Sequence, residues 1–205
     1  MTKTISQKIT LIAIILISLF GMNLEESKAQ PPCATGYTSA VLVFTSFGCE
    51  YEVRICYKCA IQSHQTSELY IYSYRPINPL CTQTKTDEEI LENLTNKGIE
   101  FFLTNCVPKP CDQLPKYRVM VNQYACWKRL FIDKSIVPCE TNAICQTLYE
   151  ICYDDNTGYV TTNLGSNWQF GSTPNCNWPI IPGRVPFPNP NEPETVCVRL
   201  KTDCD

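Results

Sequence analysis

Fourteen cysteines in 205 residues, every one of them beyond Ala29, constrain this chain more than any other feature. A cytosolic protein of this size seldom keeps so many thiols, whereas a chain exported to an oxidising space converts them to disulfides. Seven bridges are therefore expected, drawn from Cys33, Cys49, Cys56, Cys59, Cys81, Cys106, Cys111, Cys126, Cys139, Cys145, Cys152, Cys176, Cys197 and Cys204. The aliphatic runs are short and the loops many, so the bridges, at about 2–4 kcal/mol each, carry much of the stability.

The amino end agrees with export. Lys3 and Lys8 precede an apolar run from Ile9 to Phe20 broken only by Thr10 and Ser18, and Ser27-Lys28-Ala29 offers small residues at the positions signal peptidase prefers. Residues 1–29 are read as a signal peptide cleaved after Ala29. A membrane anchor is the alternative, but it needs about 20 apolar residues and this run is nearer half of that. Past Ala29 the chain carries 14 basic and 18 acidic residues. This balance excludes the basic surface that nucleic acid or an anionic membrane requires.

One stretch shows how the cysteines are used. Cys49 to Tyr57 reads Cys-Glu-Tyr-Glu-Val-Arg-Ile-Cys-Tyr, and Cys145 to Tyr153 reads Cys-Gln-Thr-Leu-Tyr-Glu-Ile-Cys-Tyr. In the first copy Tyr51, Val53 and Ile55 alternate with Glu50, Glu52 and Arg54, the period-two pattern of a half-buried strand. Seven positions along a strand put two side chains on opposite faces roughly 23 Å apart, far beyond the roughly 7 Å a disulfide spans between Cα atoms. Cys49 and Cys56 must each bond to another segment.

The repeat extends further at an offset of 93 to 98 residues, aligning Cys33 with Cys126, Cys81 with Cys176, and Cys106 with Cys204. Six cysteines fall in the first half and eight in the second, so each half can close its own bridges. The expected fold is mainly β: two tandem disulfide-stapled antiparallel β units with one short helix at about 87–97. The first unit is residues 30–106. The second is residues 107–205, with a proline-rich extended segment at 179–193.

Along the chain, Ala40 to Phe44 and a bend at Thr45-Ser46-Phe47-Gly48 predict a hairpin into the Cys49 strand. Leu69 to Tyr74 predicts a strand with Tyr70, Tyr72 and Tyr74 on one face. Thr86-Asp-Glu-Glu89 is a capping box ahead of Ile90, Leu91 and Leu94, with Gly98 as the stop. Strands are expected at Ile99–Leu103, Tyr117–Val121, Tyr124–Ile132 and Thr195–Lys201, with a hairpin turn at Asp154–Gly158.

The chemistry-bearing motifs each have a plainer reading. Cys56-Tyr57-Lys58-Cys59 has the spacing of a thiol-disulfide oxidoreductase, but it ends a strand rather than opening a helix, which favours crosslinking. A four-thiolate zinc site from Cys56, Cys59, Cys106 and Cys111 would be oxidised on export. His64 is the only histidine, in a polar loop, and would have to be the base of any serine or cysteine hydrolase. Asp154-x-Asn156-x-Gly158 starts like a calcium loop but lacks the later ligands, which favours an Asx turn. Asn93-Leu-Thr95 is a glycosylation sequon.

Aromatic rings remain. Tyr70, Tyr72 and Tyr74, with Trp168, Phe170 and Trp178, are the candidate binding face, offering stacking surfaces to a glycan or a surface protein. The sequence is read as that of a secreted, non-catalytic binding or structural module needing no metal or cofactor. A secreted hydrolase, or a redox protein using Cys56 and Cys59, is the alternative.

Overall fold

The computed structural model describes residues 33–60, 65–78, 80–81, 84–106, 108–114, 116–139, 143–189, 191 and 194–205. The expected signal peptide and His64 lie outside them. The elements in order are β1 (Thr38–Ser46), β2 (Cys49–Lys58), β3 (Ser67–Pro76), α1 (Asp87–Asn105), β4 (Tyr117–Tyr124), β5 (Cys126–Arg129), β6 (Ile136–Pro138), β7 (Ile144–Asp154), β8 (Gly158–Trp168) and β9 (Val198–Arg199).

All nine strands join one mainly antiparallel sheet. Its long axis is two three-stranded antiparallel groups side by side, β1-β2-β3 and β4-β7-β8. The two groups meet at a parallel seam between β3 and β4, from Ser67↔Val119 to Tyr70↔Asn122. Parallel neighbours need a crossover, and α1 supplies it. At the other end of β3, Tyr74 pairs with Ile136 of β6, which carries β5 and β9 as a side branch. The Cys-x6-Cys-Tyr strands, β2 and β7, are the middle strands of the two groups.

Local chemistry sets the hairpins. Phe47 and Gly48 link β1 to β2 with both φ angles positive, as a type I′ turn requires. Asp154 Oδ1 accepts from the backbone N of Asn156 and Thr157, each at 2.9 Å, closing β7 onto β8 as an Asx turn. Those backbone donors hold the Asp154 carboxyl below its usual range.

The capping box of α1 is present: Thr86 Oγ1 accepts from Glu89 N, and Glu89 accepts from Thr86 N. The helix then runs through the expected stop at Gly98 and takes in Ile99–Leu103, expected as a strand. The reason is packing. A side chain at Gly98 would meet Ile71 Cδ1 at 3.3 Å, so glycine lets the helix settle on β3. Leu91, Leu94, Gly98 and Phe102, all buried, make one helical stripe. Burying that stripe outweighs the roughly 1 kcal/mol that a mid-helix glycine costs.

α1 covers the face of the sheet that carries Val53, Ile55, Leu69, Ile71, Val119, Val121 and Ile151, and these form the core with Trp127. Two other expected strands are shorter. The run from Tyr124 breaks at Ala125 and ends at Arg129, and the last strand keeps only Val198–Arg199. The described part of the proline-rich segment has neither helix nor strand. It is tied down where Asp87 N donates to Gly183 O at 2.7 Å and Val185 N donates to Asp87 Oδ2 at 2.8 Å.

Cys49–Cys81 and Cys59–Cys106 close within residues 33–106. Cys111–Cys152, Cys126–Cys176, Cys139–Cys197 and Cys145–Cys204 close within residues 111–204. Cys33 and Cys56 are bonded too, and no described cysteine is free. Cys49 and Cys145 occupy matching places yet differ in partner: Cys81 for one, and Cys204 rather than Cys176 for the other. No helix among the described residues is long and apolar enough to cross a membrane. A sheet of this size with its cysteines oxidised belongs to an oxidising compartment.

Candidate binding face

The face of the sheet turned away from α1 is open, and its chemistry is set by a bulge in β3. Between Arg54↔Ser73 and Ile55↔Ile71 the register slips, leaving Tyr72 without a partner on β2. The slip flips the parity of the strand. Tyr70 and Tyr72 stay on the open face, while Tyr74 turns inward to 1% exposure and packs edge-on to Tyr51 and Trp127. The expected single stripe of three tyrosines is therefore broken, and Tyr74 belongs to the core.

Around Tyr70 the open face assembles residues from β3, β4 and the segment before β1. Tyr37 OH donates to Glu68 Oε2 at 2.5 Å, and Tyr70 OH donates to the same oxygen at 3.4 Å. The Tyr37 and Tyr70 rings meet edge-on at 5.4 Å, and Tyr124 lies 6.1 Å from Tyr70 at a tilt of 37°. Burial is the main cause that pushes the phenols of Tyr37, Tyr70, Tyr72 and Tyr124 upward, the last to about 12. All four stay protonated at neutral pH and keep a hydroxyl that both donates and accepts.

A polar row continues across the seam. Tyr70 pairs with Asn122, Asn122 with Gln146, and Gln146 with Asn167. Gln146 Nε2 donates to Asn122 Oδ1 at 2.8 Å, fixing both amides. Asn122 itself is 2% exposed, so the face presents the half-exposed rings, the Glu68 carboxylate and the amides of Gln146 and Asn167, which suit a ligand with alternating apolar faces and hydroxyls.

The other candidate rings lie elsewhere. Trp168 pairs with Cys145 and follows Asn167, so its side chain leaves the helix-bearing face, opposite to Tyr70 and Tyr72. There the Arg199 guanidinium sits 5.9 Å from the Trp168 ring centre and 4.5 Å from that of Trp178, and is ion-paired with Asp205. Phe170, at 98% exposure, stands beside neither tyrosine. The six rings divide into an open-face pair, a core residue, a separate tryptophan–arginine cluster and the exposed Phe170.

Tyr124, Asn122 and Gln146 were not legible as neighbours of Tyr70, because only the cross-strand register brings them there, and Tyr37 reaches it from the segment before β1. Glu68, two residues before Tyr70 on the same strand, was within reach of the period-two pattern. Of the chemical motifs, Cys59 bonds Cys106, so Cys56 and Cys59 do not form a redox pair with each other. That bond and Cys111–Cys152 consume three of the four thiolates of the zinc set. Asn93 lies within α1 with its Oδ1 buried, and Thr95 Oγ1 donates back to Leu91 O at 2.8 Å, a poor setting for glycan attachment. A groove of about 470 Å³ runs between α1 and β7–β8, lined by Asn96, Ile99, Glu100, Leu103, Tyr149, Tyr159 and Thr161. Its lining holds one carboxylate, short of the pair that glycoside hydrolysis uses. Comparison with known proteins adds no relative: no family model, no curated protein and no solved structure matches the chain.

Proposed function

We propose that the protein is exported, loses residues 1–29, and acts without catalysis as an extracellular binding module whose open face takes a glycan. The observation that carries this reading is the cluster of Tyr70, Tyr72 and Tyr124 beside Glu68, Gln146 and Asn167, with the buried Asn122 holding the Gln146 amide in place. Rings stack on the C–H faces of a sugar, and fixed amides and a carboxylate pair with its hydroxyls. The bridges support export, since they need an oxidising space. They also hold the face rigid, which lowers the ordering cost of binding.

A glycan array followed by calorimetry tests this. Tyr72→Ala should weaken binding by up to about tenfold, the worth of one stacking ring. Gln146→Ala should weaken it as well. Trp168→Ala, on the opposite face, should leave the affinity unchanged. If no glycan binds, or if Trp168→Ala is the damaging variant, the reading fails; binding to surface proteins alone would replace the glycan by a protein ligand.

A further inference from the structure

We propose that copies of this chain associate head to tail through their sheet edges, β8 of one copy pairing in parallel with β1 of the next. The long axis of the sheet ends at β1 on one side and β8 on the other, and the side branch ends at the two-residue β9. Natural edge strands are usually blunted by charge, proline or shortness. These are not: β1 reads TSAVLVFTS and β8 reads GYVTTNLGSNW, nine and eleven residues with no charged side chain and no proline. Both edges expose apolar side chains, Val41 at 57% and Val43 at 58% on β1, Tyr159 at 42% and Val160 at 41% on β8.

The molecule contains a template for their union. Superposing the two strand groups in order places β1 on β4, β2 on β7 and β3 on β8, with strand directions preserved. The register with the middle strands then aligns the residues. Ser46 faces Cys49 as Gln123 faces Cys145, so Phe44 corresponds to Val121. Tyr70 faces Cys56 as Val160 faces Cys152, so Leu69 corresponds to Tyr159. Within the chain the seam joins Glu68↔Met120, Leu69↔Val121 and Tyr70↔Asn122. Repeated between copies, it joins Gly158 to Val43, Tyr159 to Phe44 and Val160 to Thr45 of the next chain. Apolar residues of the two edges fall together, the exposed Tyr159 on the half-buried Phe44 and the exposed Val43 beside the exposed Val160. The bulge in β8, between its Leu148 and Tyr149 partners, lies beyond the paired segment. Because the two edges differ, each copy keeps one free edge after pairing, and growth does not stop at two.

Sedimentation equilibrium of the oxidised, mature protein over a concentration series tests this, with circular dichroism confirming that each variant is folded. Thr45 and Val160 are both exposed, so charges there are compatible with the fold. The native protein should show a mass that climbs with concentration past that of a dimer. Thr45→Glu with Val160→Glu places like charges opposite each other and should hold the protein monomeric. Thr45→Lys with Val160→Glu should restore association and make it salt-sensitive. A native protein that stays monomeric, a mass that stops at the dimer, or two double variants that associate alike would each overturn the proposal.

Discussion

Asp87 and Arg129 face each other 3.4 Å apart, at 4% and 7% exposure, where the proline-rich segment crosses the first turn of α1. Arg129 also donates to Val185 O at 3.2 Å and lies 4.3 Å from the Phe187 ring centre. The pair clamps three segments that no bridge joins: α1, β5 and the crossing at Val185. Removing one partner strands the other charge in the interior, at a cost of about 3–5 kcal/mol. Asp87→Ala and Arg129→Met should each lose that much in urea unfolding. The double variant should lose less than the sum, because no charge is then left alone.

The same carboxyl makes a pH prediction. Burial, outweighing the attraction of Arg129, raises the Asp87 carboxyl above its ordinary value of 3.8. The folded chain then holds this proton to higher pH than the unfolded chain, so its contribution to stability falls as pH rises from 3.8 through the folded value. Urea midpoints of the native protein and Asp87→Asn, measured across that range, should show the native protein losing ground as pH rises.

Gly183 makes a backbone prediction. Its φ is +70°, and a Cβ there would stand 2.8 Å from the Cβ of Thr86, the cap of α1. Gly183→Ala should cost about 1–3 kcal/mol, since it adds both backbone strain and a clash that the short Thr86 side chain cannot swing away from. Thermal unfolding measures it.

The open-face tyrosines predict behaviour in alkali. Tyr124 ionises at about 12 in the folded state against 10.0 for a free phenol. The unfolded chain therefore releases this proton first, and stability falls as pH climbs from 10.0 towards 12. Tyr124→Phe keeps the ring and removes the titrating hydroxyl. The variant should unfold at higher pH than the native protein in an absorbance titration.

Local signals were legible in the sequence: the capping box at Thr86, the bend at Phe47-Gly48, the Asx turn at Asp154, and the parity that kept Cys49 from Cys56. What escaped was settled by distant partners. Whether Tyr74 joins Tyr72 depends on where β2 forces a leftover residue into β3. Whether Gly98 ends α1 depends on the room above Ile71. The Tyr70–Tyr124 contact needs a parallel seam between strands about fifty residues apart, and no local pattern announces one. The odd spacing of Cys49 and Cys56 said that each bonds elsewhere, but partner choice followed from the sheet order.

The sheet is fully oxidised at its described cysteines, and its bridges stay within residues 33–106 and within residues 111–204. Peptide mapping of the exported protein by mass spectrometry, digested without reduction and with a thiol alkylator present, examines this directly. It should find Cys49–Cys81, Cys59–Cys106, Cys111–Cys152, Cys126–Cys176, Cys139–Cys197 and Cys145–Cys204, with no cysteine alkylated. Alkylated Cys56 and Cys59, or a bridge joining the first group of residues to the second, would contradict it.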